Sequence, residues 1–286
     1  MPSRLASNRI SHCQHDVQMV YASAMLHVKS DSVVSCENTQ DSIVLRLDPK
    51  LRRLLTRKNR YSSEIIFPLR RRASIKDILE SIGIPHTEIH RILTAGQELS
   101  FSYIPEGGEI LDIHSPDAPI DVTLPSVLRP ESLPAPAFIV DVSAGKLARM
   151  LRMAGIDTWY DSSSSHAELG RKAREARRIV LSRSRGLLMR KEIMWGHLVR
   201  SQRPADQFKE VWRLFGLHSH ARPFSRCMEC NSLIDRVDKA LIMHRLKPLT
   251  RRYYDLFYIC PTCKRIYWQG SHFNRMSRFF QEVTGS

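Results

Sequence analysis

The chain has no uninterrupted apolar run of about 18 residues, which excludes an ordinary transmembrane helix. Its first 40 residues lack a secretory-type apolar stretch and carry acidic side chains that argue against a mitochondrial presequence. We therefore expect a cytoplasmic protein with a poorly ordered leader at 1–40. There is no internal repeat and no collagen-like bias. The apolar fraction of 42% is too high for a disordered chain, and the length of 286 residues predicts about two domains.

Positive charge is unevenly distributed along the chain. Residues 1–40 carry 3 basic and 3 acidic side chains, and residues 41–125 carry 12 of each. Residues 126–286 carry 29 basic and 14 acidic side chains, and they hold the whole net charge of +15. A basic unit beside a neutral one favours binding of a polyanion such as a nucleic acid. An ordinary solvated basic surface is the alternative.

Proline divides the sequence into two units. Six of the 15 prolines lie between positions 116 and 136, which predicts a stiff linker. The linker separates a first unit at 41–115 from a second unit that begins at 137. We divide the second unit into an α/β part at 137–220 and a cysteine-containing part at 221–286.

The first unit has the pattern of a small α+β domain. Strands are predicted at 42–47, 64–69, 91–93, 99–103 and 109–113. Between the second and third of these, Ser74 and Gly83 have the residue types of a helix N-cap and a helix stop. Two strands, a helix and then short strands is the order of a β-grasp domain. Its only Gly-Gly pair, Gly107-Gly108, is internal, which favours a fused adaptor over a conjugated one.

The second unit alternates strands and helices. Apolar runs at 137–141, 156–160 and 179–181 predict strands, with helical patterns between them. Such alternation predicts a parallel sheet. Working residues of open parallel sheets lie at the carboxyl ends of strands, which is where the pattern places Asp141.

Four cysteines in two pairs predict a metal site. The pairs are Cys227-x-x-Cys230 and Cys260-x-x-Cys263, and each spacing can direct two thiolates at one ion. Four thiolates are typical of a closed, tetrahedral structural zinc site. Disulfides or redox dithiols are the alternative, which a reducing compartment disfavours.

Residues 137–286 resemble the Mut-seven C-terminal RNase domain, and residues 74–88 resemble the ubiquitin-like (β-grasp) domain that often precedes it. The stretches that carry the first resemblance are Phe138–Asp141, Gly145–Arg152, Gly155–Thr158, Arg178–Leu181, Arg226–Asn231, Cys260–Cys263, Tyr267–His272 and Arg275-Met276. The resemblance implies a PIN-like nuclease fold with a zinc ribbon at its end. It also implies RNA cleavage by Mg²⁺ or Mn²⁺ that carboxylates hold at strand ends.

The resemblance also assigns the candidate catalytic residues. Asp141 matches the first acid of the family and would bind Mg²⁺ or Mn²⁺. His166 and Ser184 stand where the family has two further aspartates, and Glu168 lies two residues beyond His166. The chain is therefore expected to be a metal-dependent endoribonuclease with a depleted acidic site. The alternative is a catalytically inactive, zinc-stabilised module that binds RNA or a protein.

Basic and aromatic side chains in the second unit are candidates for contacts with single-stranded RNA. These candidates are Lys146, Arg149, Arg152, Arg183, Arg185, Trp268 and Arg275. Trp268 has a second interpretation, in which its ring packs the zinc ribbon against the sheet. A protein partner is expected, if anywhere, at the β-grasp domain.

Overall fold

Alternating apolar and polar residues produce a five-stranded mixed sheet in the first unit. A computed structural model of the chain describes residues 41–56 and 59–285, so the predicted leader lies outside the described residues. The strands are β1 (Ser42–Leu47), β2 (Glu64–Pro68), β3 (Arg91–Thr94), β4 (Gln97–Glu98) and β5 (Ile110–His114), in the order β2-β1-β5-β3-β4. A short helix, α1 (Pro49–Arg52), follows β1. Strand β1 pairs in parallel with β5 and antiparallel with β2, which is consistent with the predicted ubiquitin-like arrangement.

The helix of the first unit begins where the sequence predicts. Helix α2 (Ile75–Ser81) has Ser74 as its N-cap, and the Ser74 hydroxyl accepts the Asp77 backbone N–H at 3.2 Å. Gly83 follows the helix with a φ of 93°, a left-handed conformation that glycine adopts without strain. The apolar side of α2 is buried with the inward residues of β1 in one cluster.

The prediction of a strand at 99–103 is wrong. Strand β4 consists of Gln97–Glu98 and ends before these residues. The chain turns after β4, and the Tyr103 carbonyl accepts the Ile75 N–H at 2.8 Å. The first N–H groups of a helix have no acceptor within the helix, so this turn satisfies a donor of α2 instead of extending the sheet.

A four-stranded parallel sheet forms the α/β part, as predicted. Its strands are β6 (Phe138–Val140), β7 (Thr158–Tyr160), β8 (Ile179–Ser182) and β9 (Gly196–Leu198), in the order β7-β6-β8-β9. Helices α3 (Gly145–Met153), α4 (His166–Glu175), α5 (Arg185–Leu188) and α6 (Pro204–Leu214) accompany them. Strand β9 and helix α6 were not predicted from the sequence. Every residue of β6 is buried, as expected for a central strand.

The cysteine-containing part has its own small antiparallel sheet. Strands β10 (Asp235–Val237), β11 (Phe257–Ile259) and β12 (Ile266–Trp268) pair in that order, and helices α7 (Lys239–Ile242) and α8 (Pro248–Tyr253) lie between the first two. Helix α9 (Ser271–Thr284) then packs against α6. The ring of Phe280 meets that of Trp212 edge-on at 5.5 Å. No helix within residues 41–56 and 59–285 is long and apolar enough to cross a membrane.

The proline-rich segment is packed between the first sheet and the parallel sheet. Its Arg129 is 3% exposed and donates hydrogen bonds to the carbonyls of Ile89, at 2.9 Å, and Met194, at 3.2 Å. Apolar residues of both units share one buried cluster. The segment therefore lies in a packed junction. The proposed boundaries at 41–115, 116–136, 137–220 and 221–286 stay predictions.

Candidate metal centre and nucleic-acid cleft

The four cysteines converge on one point. The Sγ atoms of Cys227, Cys230, Cys260 and Cys263 lie within 4.8 Å of one another. Two of the separations are 3.5 Å, from Cys227 to Cys263, and 3.3 Å, from Cys230 to Cys260. A tetrahedron with Zn–S bonds of about 2.3 Å has sulfur–sulfur edges of about 3.8 Å, while a disulfide requires about 2.05 Å. The donor set therefore fits a structural zinc ion.

The two Cys-x-x-Cys loops have the same backbone geometry. In the first loop, the Asn231 N–H donates to the Cys227 carbonyl at 2.9 Å, and in the second the Lys264 N–H donates to the Cys260 carbonyl at 2.9 Å. Asn231 and Lys264 both adopt left-handed φ values, of 71° and 59°. These turns point both thiols of a loop to the same side, which a three-residue cysteine spacing alone permits but does not enforce.

The first cysteine loop is attached to the edge of the parallel sheet. The Asn231 side chain accepts the Thr158 N–H at 3.0 Å and donates to Asp157 at 2.8 Å. The buried Arg152 guanidinium donates to the carbonyls of Thr158, at 2.8 Å, and Glu229, at 2.6 Å. Burial lowers the pKa of Arg152 from its usual value. Arg152, a predicted RNA contact, thus joins the first cysteine loop (227–230, called the zinc loop below) to β7 through two of its nitrogen atoms.

Asp141 is held by local hydrogen bonds at the carboxyl end of β6. The side chain is 3% exposed, and it accepts the Ser143 N–H and the Ser182 hydroxyl. The Ser182 oxygen in turn accepts the Ser184 N–H at 2.8 Å. The structure therefore brings Asp141 and Ser184 together through Ser182, a residue that the sequence analysis did not select. Ser184 itself caps α5, because its hydroxyl accepts the Leu187 N–H at 3.4 Å.

The other two predicted catalytic residues stand at the start of α4. Glu168 forms a capping box with Ser165, whose backbone N–H and hydroxyl both donate to one Glu168 oxygen, at 2.7 and 2.8 Å. These hydrogen bonds lower the pKa of Glu168. His166 is exposed in the same turn. Asp161, the acid that follows β7, likewise accepts the Ser163 N–H at 3.0 Å.

These acidic residues do not gather into a metal-binding group. Among residues 41–56 and 59–285, we find one group of three or more His, Cys, Asp or Glu side chains that could share an ion, and it consists of the four cysteines. Asp141, His166 and Glu168 form no such group in that part of the chain. Their hydrogen bonds explain why, since each carboxylate stabilises a nearby turn or helix end.

A basic cleft opens beside Asp141. Its volume is about 710 Å³, and the 142–146 turn and the first half of α3 form one wall. Lys146, Arg149 and Arg183 line it with exposed side chains. Glu229 is the acidic residue of the lining, and Arg149 and Arg265 both donate to the same Glu229 oxygen, Arg265 at 3.0 Å. The hydrogen bond from Arg149 lowers the pKa of Glu229, so the acid is ionised and already paired. The cleft is therefore suited to an anion.

At one position of this cleft, any side chain larger than that of glycine would collide with Tyr160 in its present place. A Cβ atom at Gly145 would lie 2.6 Å from the Tyr160 hydroxyl, so a larger residue would displace the ring. Tyr160 ends β7 and lines the same cleft. This close contact explains why the first turn of α3 begins with glycine, a poor helix former.

Comparison with protein families decides the assignment of the chain. Residues 136–280 match the family model of the Mut7-C RNAse domain. The chain belongs to the Mut7-C RNase domain family. Residues 40–121 match the Mut7-C ubiquitin model, so the RNase domain is preceded by a ubiquitin-like domain. No curated protein and no solved structure matches the chain.

Three other predicted RNA contacts of the Mut7-C RNase domain lie in different surroundings. Arg185 reaches the ubiquitin-like domain, where it donates to the Leu54 carbonyl at 2.6 Å. Trp268 is 38% exposed, and its ring lies 6.4 Å from that of Phe257, so it partly covers the small antiparallel sheet. Arg275 is exposed on α9 and borders a second groove next to the basic cleft.

The sequence analysis missed a buried polar cluster where the ubiquitin-like domain meets the Mut7-C RNase domain. His197 on β9 contacts Glu88 at 3.2 Å and Glu210 at 2.9 Å. Arg200 donates to Glu88 at 2.7 Å. Burial alone would lower the pKa of His197, but the charge of Glu88 and the hydrogen bonds that the His197 ring donates to both acids raise it to about 9. Because the partners are 13 and 109 residues away, no local motif signals this cluster.

Proposed function

We propose that this protein binds RNA in the basic cleft, with the phosphodiester backbone contacting Lys146, Arg149 and Arg183. The observation that carries the proposal is the convergence of three exposed cations on one opening at the carboxyl edge of the parallel sheet. Contacts to phosphate supply most of the affinity in sequence-independent recognition. Membership of the Mut7-C RNase domain family supports RNA as the polyanion.

Single-stranded RNA is the form we propose. The cations line the wall of a cleft and do not extend over a flat face, and a single strand can bend into such a space with its bases turned outward. Duplex RNA presents its phosphates along a stiff cylinder and is recognised across its surface.

Catalysis by a divalent metal is not supported by the donor set around Asp141. Mg²⁺ prefers near-octahedral coordination by several oxygen ligands, usually including more than one carboxylate. Asp141 is one buried carboxylate that already accepts two hydrogen bonds, and Glu168 is held by Ser165. We therefore propose that RNA is held without metal-dependent cleavage, and we derive no reaction step at this site.

A Mn²⁺-dependent ribonuclease is the second candidate function. Two observations favour it: the family match, and the position of Asp141 at the carboxyl end of β6. Mn²⁺ accepts imidazole better than Mg²⁺ does, so His166 would complement Asp141 if the start of α4 moved.

The ubiquitin-like domain indicates a further interaction with protein. Gly107-Gly108 lies in a turn before β5, so the domain has no free Gly-Gly end for conjugation. We propose that it serves as a fixed adaptor, because Arg129 and the shared apolar cluster attach it to the RNase domain.

The binding proposal is tested by titrating a labelled 12-nucleotide RNA at several salt concentrations. Three phosphate contacts predict a slope of log affinity against log salt of about −2 for a single strand. Arg183→Ala should weaken every RNA sequence similarly and reduce the slope by about 0.7. Arg213→Ala is the matched control, because Arg213 is exposed at the far end of α6 from the cleft.

Two results would contradict the proposal. One is binding that does not change with salt. The other is an equal loss of affinity in Arg183→Ala and Arg213→Ala, which would indicate a diffuse basic surface and not a cleft.

A further inference from the structure

A second groove lies next to the basic cleft and has a different chemistry. Its volume is about 470 Å³, and its apolar wall consists of Met150, Met153, Met228, Met276 and Phe279. Four of the chain's 10 methionines therefore meet at one surface opening. The wall combines three elements, since two methionines come from α3, one from the first cysteine loop and one from α9. The groove thus exists only when the zinc loop and α9 are docked.

The two openings are continuous. Arg149, Met228 and Glu229 line both, so the Arg149–Glu229 ion pair forms the boundary between them. A strand whose phosphates contact Lys146 and Arg183 would carry its next nucleotide past that pair. His272 and Arg275 stand exposed at the outer rim of the groove, where a following phosphate would lie.

The lining of the groove suits a flat, apolar and polarisable group. Thioether side chains are flexible and make favourable contacts with aromatic rings, and Phe279 adds an aromatic surface. The volume lies within the range of about 300–1,000 Å³ that is typical of small-ligand pockets. Arginine at the rim can stack on a base or contact its phosphate. A hydrophobic peptide would gain nothing from the adjoining cations, whereas a nucleotide uses both chemistries.

We propose that the methionine-lined groove is a subsite for one unpaired nucleobase of the RNA held in the basic cleft. This proposal rests on the proposed function and deepens it, because it makes the protein a reader of an exposed base as well as a binder of phosphate. Base contacts of this kind tolerate different sequences, so the subsite selects for an unstacked nucleotide and not for a particular base.

The test removes bases from the RNA one at a time. A set of RNAs of about five nucleotides, each with an abasic ribose at one position, keeps the phosphate count and the charge unchanged, and this length covers the cleft and the groove in a single register. With the full-length protein, we expect one or two positions at which the abasic RNA binds about 5- to 100-fold more weakly than the parent. The slope of affinity against salt should be the same for all RNAs, since no phosphate contact is lost.

A pair of variants then locates the effect. Met276→Ser should weaken the parent RNA and abolish its advantage over the sensitive abasic RNA. Met194→Ser, at a methionine that is 42% exposed and lines neither opening, should leave that advantage intact. Melting temperature and zinc content of both variants verify that α9 and the zinc loop remain folded.

Each outcome has a distinct meaning. Equal binding of all abasic RNAs by a protein that binds the parent RNA would overturn the base subsite and leave the phosphate cleft standing. Positional sensitivity that persists in Met276→Ser would also overturn it, because the base would then sit elsewhere, for example on Trp268. If no RNA binds at all, the proposed function itself fails.

Discussion

Two regions of this protein carry side chains that can hold a metal, and they differ in where those side chains point. At the cysteine loops, four thiols come within 4.8 Å of one another. At the carboxyl edge of the parallel sheet, Asp141, Glu168 and Asp161 each turn to a neighbouring backbone N–H or hydroxyl. The first region has the donor set and the geometry to hold a metal ion. The second is a set of helix and turn caps beside a basic cleft.

The comparison shows that carboxylates at strand ends and helix starts can stabilise the fold without forming a metal-binding group. Ser182, the last residue of β8, donates its hydroxyl to Asp141 and accepts the Ser184 N–H, so Asp141 belongs to a hydrogen-bond network at the end of this strand. A carboxylate in such a network is useful to the fold whether or not a metal is bound. The presence of Asp141 at the end of β6 therefore gives little support for catalysis. The convergence of the four cysteines, in contrast, strongly supports a zinc site.

Removal of the zinc ligands should have the largest effect. Cys260→Ser or extraction of the metal should unfold the part of the chain from the first cysteine loop onward, because structural zinc contributes on the order of 10 kcal/mol in small zinc domains. The measurement is thermal unfolding followed by circular dichroism, with zinc content determined in parallel. Cys13→Ser, outside the described residues, is the matched thiol control. An unchanged melting temperature in Cys260→Ser would show that a zinc ion at the four cysteines does not stabilise this part of the chain.

The attachment of the first cysteine loop to strand β7 can be broken separately at Arg152. Arg152→Ala removes hydrogen bonds to the Thr158 and Glu229 carbonyls, and we expect a loss of about 2–4 kcal/mol in the free energy of unfolding. Arg152→Lys keeps the charge but cannot reach both carbonyls, so it should recover little. Urea unfolding measures both variants. If Arg152→Lys were as stable as the wild type, the two hydrogen bonds would not be what stabilises the fold. Arg152 would then act through its positive charge and not by attaching the zinc loop.

The stability of the protein should depend on pH through the buried cluster around His197. The pKa of His197 is raised to about 9 in the folded protein, so its contribution to stability is complete below pH 6.5 and is lost as the pH rises from 6.5 to 9. Burial would raise the pKa of Glu210, but hydrogen bonds from His197 and Ser201 lower it to about 2. The contribution of Glu210 is therefore lost as the pH falls from 4.5 toward 2.

Urea unfolding between pH 6 and 9 tests the His197 assignment, whose facing groups are Glu88, Glu210 and Arg200. His197→Gln should remove most of the alkaline loss of stability, and the exposed His166→Gln should retain it. The same alkaline loss in both variants would contradict the assignment. This effect should be the smallest of the three, since many other groups also titrate.

Local spacing explains what the sequence could predict. The Ser74 cap of α2, the strand that ends at Asp141 and the Cys-x-x-Cys loops are each set within a few residues, and each was found. Contacts over long sequence separations were missed. The attachment of Asn231 to Thr158, the His197–Glu88 contact and the packing of Phe280 on Trp212 all depend on tertiary approach. The capping box at the start of α4 belongs to both classes. Its Ser165-x-x-Glu168 spacing is local, but Glu168 was interpreted only as a candidate residue of the metal site.

Incubation of a labelled single-stranded RNA with the wild-type protein and with Asp141→Asn tests whether the protein holds RNA without cleaving it. Each protein is assayed with Mn²⁺, with Mg²⁺ and without added divalent cation, and both binding and cleavage are measured. We predict salt-sensitive binding that is the same in both proteins under each condition, with no cleavage under any of them. Cleavage by the wild type that requires Mn²⁺ or Mg²⁺ and disappears in Asp141→Asn would contradict this prediction and would establish a working nuclease site.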